Sequence, residues 1–332
     1  MPKTVITVEW PAVPNVPGYD LYENGTKVSS TTSTTAKFGV TNGMAVKIVP
    51  QAIPAPPPPP PPAPTGKLWG ISPSNNGGFN PSIDTQMAEY VKLGVTCPRI
   101  PGDDTSALSA RNHGFKTWVA WVSGDGSASV SSLVAYAQKY PEAVVVGFGN
   151  ELNLNSSWTV SAVAAKQIQF YNAMKAVGLE HRVGLSCVGN SPSRVEGLLP
   201  LDWCRHLRSL GCVNGTGFTT ADYHMYAADP QNYDNWMHVW TPDSTGESCQ
   251  SVLGHPGFVV SEFGAKIGKD VPDETSQANA VTAWVSKLNS LPECLGAHWF
   301  QAFDGSAWVG YGLIRSDGTH RPSYAAYQAA VA

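Results

Sequence analysis

The chain has 332 residues, a formal net charge of -4, and only 14% charged residues against roughly 25% in an ordinary domain. Lacking a concentrated run of Lys and Arg, it offers no footprint for nucleic acid, and no apolar run nears the roughly 20 residues that span a bilayer. Trp (11), Tyr (12) and Phe (10) are plentiful, which suits large cores or stacking against the apolar faces of neutral sugars.

Residues 1–52 alternate apolar and polar positions, as in Thr4-Val-Ile-Thr-Val-Glu-Trp10, with turn signals at Pro17-Gly18, Asn24-Gly25 and Asn42-Gly43. That pattern predicts a small antiparallel, sandwich-like β module. The first ten residues lack an uninterrupted apolar core, so no classical secretory signal is expected. Residues 53–66 are dominated by proline, which cannot donate to a ladder and favours a stiff polyproline II rod. They read as a linker.

From residue 67 to 332, strand-like and helix-like segments alternate. Strands are predicted at 68–71, 95–100, 116–122, 144–149, 182–188, 219–226, 257–261 and 297–303. Helices are predicted at 82–93, 129–140, 159–177, 275–288 and 323–330. Eight such strands alternating with helices fit a (β/α)8 TIM barrel, typically about 250 residues. A doubly wound open sheet is the alternative, but the turn after the first strand, residues 72–78, lacks the GxGxxG spacing that such sheets use for phosphates.

Six cysteines, with no CxxC pair, give no zinc signature. Cys97 and Cys187 lie in strand-like runs and read as buried thiols. Cys204 with Cys212, and Cys249 with Cys294, are candidate disulfides for an oxidising compartment. No His-rich spacing suggests a metal, and no cofactor is expected.

Two apolar strands end on a carboxylate: Val144-Val-Val-Gly-Phe-Gly-Asn-Glu151 and Phe258-Val-Val-Ser-Glu262. In a parallel barrel all strand C-termini open onto one mouth, so Glu151 and Glu262 are expected to face each other across it. Paired carboxylates flanking one bond are what glycoside hydrolysis needs.

Gly149-Asn-Glu-Leu-Asn153 on the fourth strand and Val260-Ser-Glu-Phe-Gly264 on the seventh resemble the signature of clan GH-A retaining glycoside hydrolases, over residues 67–328. The resemblance implies Glu151 as acid/base, Glu262 as nucleophile, and Asn150 as partner of the sugar 2-hydroxyl. It also implies substrate-binding or supporting roles for Arg99, His224 and Tyr226, and a stacking platform at Trp299. The tail from Tyr311 to Tyr324 is similar to the closing segment of many members, although the common Asn-Glu-Pro is Asn-Glu-Leu here. Arg99 is expected to hold Glu262 ionised, a Tyr226 hydroxyl to align it, and an aromatic pocket to raise the Glu151 pKa. Trp69, Trp118, Trp121 and Trp308 are expected mostly in the core, with one or two lining subsites. Residues 10–43 resemble the central strands of a fibronectin type III domain, a family of spacer and adhesion modules.

These features imply a polysaccharide hydrolase, with short loops after the first three strands favouring an open cleft and endo-action. The alternative is a non-catalytic carbohydrate-binding component whose β module docks on a larger assembly. A bacteriophage tail would accommodate both, placing the protein outside the cell or on a virion.

Overall fold

The computed structural model of the protein describes residues 4–10, 12, 19–24, 26–40, 45–50, 66–73, 81–305 and 308–332. The chain divides into two compact units, Met1–Pro59 and Pro60–Ala332. The predicted proline-rich segment up to residue 65, the turns at 17–18 and 42–43, and most of the 72–78 turn lie outside the described residues.

The first unit contains strands β1 (Thr4–Glu9), β2 (Tyr19–Glu23), β3 (Thr26–Thr31), β4 (Thr35–Val40) and β5 (Val46–Pro50). β1 pairs antiparallel with β4, while β2 is flanked antiparallel by β3 and β5. Its core is thin: Tyr19, Leu21 and Phe38 are buried, whereas Val5 and Val28 stay exposed. The Trp10 ring closes edge-on over Tyr19, with centroids 5.4 Å apart.

The second unit runs β6 (Leu68–Ser72), α1 (Ile83–Lys92), β7 (Arg99–Pro101), α2 (Asp104–Asn112), β8 (Trp118–Val122), α3 (Val130–Lys139), β9 (Ala143–Phe148), α4 (Val160–Lys175) and α5 (Pro200–Ser209). It continues with β10 (Thr220–Tyr226), α6 (Pro230–Met237), α7 (Cys249–Val252), β11 (Gly257–Gly264), α8 (Glu274–Asn289), β12 (Cys294–Phe300) and α9 (Pro322–Val331). Helix starts follow the sequence closely, because Ser82, Ser129, Thr159 and Asp273 each accept a first-turn backbone N–H that would otherwise lack a partner.

The strands are parallel and form two ladders, β7-β8-β9 and β10-β11-β12-β6. At one seam, Thr96 and Cys97 donate their N–H groups to the Trp69 carbonyl of β6 at 2.9 and 3.0 Å. At the other, residues 183–188 bridge the ladders singly, Val183 to Val146 and Gly184 to Thr220. Neighbours thus follow chain order round to β6.

The predicted fifth strand is therefore a chain of single bridges instead of a continuous ladder. The cause is Gln167 on α4: its buried amide donates to the Gly184 carbonyl at 3.0 Å and accepts from the Ser186 N–H at 3.1 Å. Backbone groups paired with a side chain are withdrawn from a ladder. The predicted second strand shortens to β7, because Pro98 has no N–H to donate. Helix α2 escapes sequence reading since its buried apolar side chains are only Ala107 and Ala110.

The candidate disulfides do not form. All six cysteines are buried free thiols. Cys249 hydrogen-bonds the Cys204 thiol, while the Cys294 Sγ turns to the Gly296 carbonyl at 3.6 Å.

Candidate active site

Glu262 lies inside β11 near its C-terminal end. The β10-β11 ladder slips there: Tyr223 pairs with Val260, but His224 pairs with Glu262. Ser261 is the extra residue, and its N–H is taken up by the Asp222 carboxylate at 3.1 Å. A bulge of this kind re-aims side chains, and here it sets His224 beside Glu262.

Asn150 and Glu151 follow the end of β9. The Gly149 and Asn150 N–H groups are tied to the Ser123 and Gly124 carbonyls at 3.0 and 2.8 Å. Gly149 turns the chain at φ 70°, and a Cβ there would meet Leu152 at 2.5 Å. Glu151 itself adopts the left-handed conformation, φ 50°, ψ 50°. That region costs a non-glycine residue roughly 1 kcal/mol or more, so the surrounding turn must impose it.

The two carboxylates meet at one atom. His224, fully buried, places Nδ1 3.1 Å from Glu151 Oε1 and 3.3 Å from Glu262 Oε2, while its Nε2 lies 3.0 Å from Ser261 Oγ. Arg99, also buried, donates to Glu262 Oε1, to Asn150 Oδ1 and, at 2.8 Å, to Ser72 Oγ. Its guanidinium stacks 3.9 Å above the Trp121 ring. The Tyr226 hydroxyl donates to Glu262 Oε2. The structure thus brings Arg99, Asn150, Glu151, His224, Tyr226 and Glu262 into one cluster.

The charges in this cluster hold one another. Burial alone would raise the Glu151 pKa, but the hydrogen bond from His224 and the positive charges of His224 and Arg99 outweigh it, and the carboxyl lies below its ordinary range. This corrects the expected upward shift. His224 moves up: burial opposes its charge, but Glu262 and the bond to Glu151 overcome it. Burial opposes Arg99 too, and Glu262 reverses the effect. Burial and the nearby Glu262 charge keep the Tyr226 phenol protonated. Asp222 is pushed up by burial, with His224 and Arg99 opposing.

Trp299 does not line the cleft. It is fully buried, packed edge-on against Phe263 with centroids 5.3 Å apart, and its indole N–H donates to the Tyr311 carbonyl at 3.0 Å. Side chains alternate along a strand, so the next residue, Phe300, faces the opening instead. The cleft, about 600 Å³, has an aromatic wall of Trp121, Tyr226, Phe300, Trp308 and Tyr311 around Glu151 and Glu262. Trp69 and Trp118 are core. Sequence reading did not single out Phe300, Asn190, Arg194 and Lys269, which also line the cleft; all but Phe300 sit on loops, where no periodicity marks direction.

Among the described residues no group of His, Cys, Asp and Glu could hold a metal ion, and no helix is long and apolar enough to cross a membrane.

No protein-family model matches the chain, and no curated protein matches it. Solved structures do. An endo-β-1,3-glucanase of GH128 subgroup I from Amycolatopsis mediterranei, in complex with laminaritriose, is 16% identical over 80% of this chain and 100% of its own, with a TM-score of 0.54. A GH128 subgroup II endo-β-1,3-glucanase from Sorangium cellulosum is 16% identical over 79% and 98%, with a TM-score of 0.58. A Bacteroides uniformis β-glucuronidase is 13% identical over 95% of this chain and 46% of its own, with a TM-score of 0.56. At such identities the likeness establishes a shared fold, that of TIM-barrel glycosidases, and leaves activity to be argued from the site.

Proposed function

We propose that this chain is a retaining glycoside hydrolase that cuts within a polysaccharide, with Glu262 as nucleophile and Glu151 as acid/base. The observation that carries this is the shared His224 nitrogen. Two carboxylate oxygens 3.1 and 3.3 Å from one atom can be no farther apart than those lengths laid end to end. That limit falls just below the roughly 6.5–9.5 Å at which inverting enzymes leave room for a water, and it favours direct attack by one carboxylate.

Each neighbour has a task in a double displacement. Arg99 and Tyr226 each bond one oxygen of Glu262, fixing the carboxylate for attack on the anomeric carbon. Arg99 also takes the Asn150 side-chain oxygen, which leaves the Asn150 amide N–H groups to donate to a sugar hydroxyl. Glu151 and His224 hold a proton between them, since the shifts favour carboxylate and imidazolium. As the glycosidic bond breaks, Glu151 delivers that proton to the leaving oxygen and His224 becomes neutral. In the second half Glu151 accepts a proton from the attacking water, and the glycosyl bond to Glu262 is released.

The aromatic wall gives sugar rings surfaces to stack on. Because the similar GH128 structures are endo-β-1,3-glucanases, β-1,3-glucan is the first polymer to test. Release of oligosaccharides from a glycan panel, with the anomeric configuration followed by NMR, checks the proposal. Inversion, or full activity in Glu262→Gln or Glu151→Gln, would overturn it. Glycan binding by wild type without any cleavage would instead return the non-catalytic reading.

A further inference from the structure

Seven of the chain's eight arginines are engaged. Arg99 bonds Glu262, Arg111 bonds Glu142, Arg205 and Arg208 bond Glu247, Arg315 and Arg321 bond Glu274, and Arg182 bonds three backbone carbonyls. The Arg194 guanidinium has no hydrogen bond or ion pair among the described residues, and it lines the cleft.

The Arg194 backbone is nonetheless held in place, while its side chain is exposed. Its backbone N–H donates to the Asn153 carbonyl at 2.9 Å. Buried Asn153 fastens the same loop, accepting from the Gly189 N–H at 2.9 Å and donating to the Gly189 and Ser191 carbonyls at 3.1 and 3.3 Å. The loop carrying Arg194 is thus stapled to the segment that carries Glu151. A second cation, Lys269, lines the cleft from the loop after β11. It is 67% exposed, and its ion pair to Asp270 is stretched to 3.9 Å. The cleft's own carboxylates do not offset these two charges, because Glu262 is held by Arg99 and Tyr226, and Glu151 by His224.

We propose that the cleft takes an anionic glycan, a polysaccharide bearing carboxylate or phosphate groups, with one acid group paired to Arg194 and another to Lys269. For binding, this stands on the lining residues alone; for turnover it rests on the glycosidase reading. A guanidinium pairs with a carboxylate or phosphate through parallel hydrogen bonds, which a neutral hydroxyl cannot match. Attraction at an exposed rim is screened by salt, since the Debye length is about 8 Å at physiological ionic strength.

The test uses full-length Glu262→Gln protein, with binding followed by calorimetry. The probes are β-1,3- and β-1,4-glucan oligosaccharides, each neutral and oxidised at C6 to the uronate, and a glycan carrying phosphodiesters. We expect at least one uronate or phosphodiester form to bind about tenfold more tightly than the neutral glucans at low salt, with the advantage shrinking as salt is raised. Arg194→Gln should remove most of that ratio, and Arg194→Lys should restore part of it. Preference for the uronate assigns a carboxylate, and preference for the phosphodiester assigns a phosphate. Equal or tighter binding of the neutral forms, binding of none, or a ratio unmoved by Arg194→Gln overturns the inference. Wild-type cleavage restricted to neutral glucan overturns it while sparing the glycosidase reading; anionic binding without any cleavage does the reverse.

Discussion

Glu262 and Glu151 are held by different kinds of structure. Glu262 sits inside a strand, 7% exposed, with one oxygen on Arg99 and the other on Tyr226. Glu151 lies past the end of its strand, in a left-handed turn, with its side chain 25% exposed and bonded to His224. A group that attacks one carbon gains from being fixed on a rigid element, whereas a group that gives and takes protons needs a partner that also exchanges them. The difference matches the two tasks proposed for them.

The sharpest way to break that comparison is to remove each carboxylate in turn. Glu262→Gln and Glu151→Gln are each expected to cut turnover of polysaccharide by about a thousandfold or more, read as release of reducing ends. They should diverge on an aryl glycoside whose leaving group needs no proton: the first step recovers in Glu151→Gln and stays lost in Glu262→Gln. Equal recovery in both would reverse or abolish the assignment.

His224→Asn comes next, with kcat/KM expected to fall about a hundredfold. In wild type the basic limb of the pH profile follows loss of the shared proton, at the raised His224 value above its ordinary 6.5. Without the imidazole that limb should move to lower pH. Stability follows the same pair. The Glu151 contribution is present above its ordinary 4.5 and fades as pH falls through its lowered folded value. The His224 contribution is present below 6.5 and fades as pH rises through its raised folded value. Urea unfolding should therefore show His224→Asn costing more between about pH 5 and 6 than at pH 9.

Trp299 and Phe300 test the alternation on β12. Trp299→Ala should cost about 3–5 kcal/mol of stability in urea, as expected for a large buried side chain. Phe300→Ala should act mainly on KM. The smallest effect is expected at Gly189, where a Cβ would come 2.9 Å from Glu151 Oε1. Gly189→Ala should lower kcat about tenfold through the displaced carboxylate, with the thermal midpoint shifted by only a few degrees. An unchanged kcat would mean that the turn accommodates Glu151 more loosely than its geometry implies.

Much of the barrel was legible in the sequence because buried parallel strands are runs of Val and other apolar residues, and helices announce themselves with Ser, Thr and Asp caps. Residues 183–188 read as a strand by composition, yet the Gln167 side chain takes two of their backbone groups, the Gly184 carbonyl and the Ser186 N–H, a contact that no local pattern encodes. The likeness of residues 10–43 to a fibronectin type III module rests on the sequence alone.

For the site, the two strand-end glutamates could be named from sequence because parallel connections force strand C-termini to one mouth, whereas Arg99, Asn150, His224 and Tyr226 were named from the resemblance to clan GH-A. The tertiary structure decided the rest. It set which face of β12 meets the cleft, and so chose Phe300 over Trp299. It gave both carboxylates a common histidine through a one-residue bulge, and with it the sign of the Glu151 shift. It also left the Arg194 guanidinium in the cleft without a partner among the described residues. Each depends on contacts between segments far apart in the chain, and the pKa shifts and side-chain pairing of this cluster arise from such contacts.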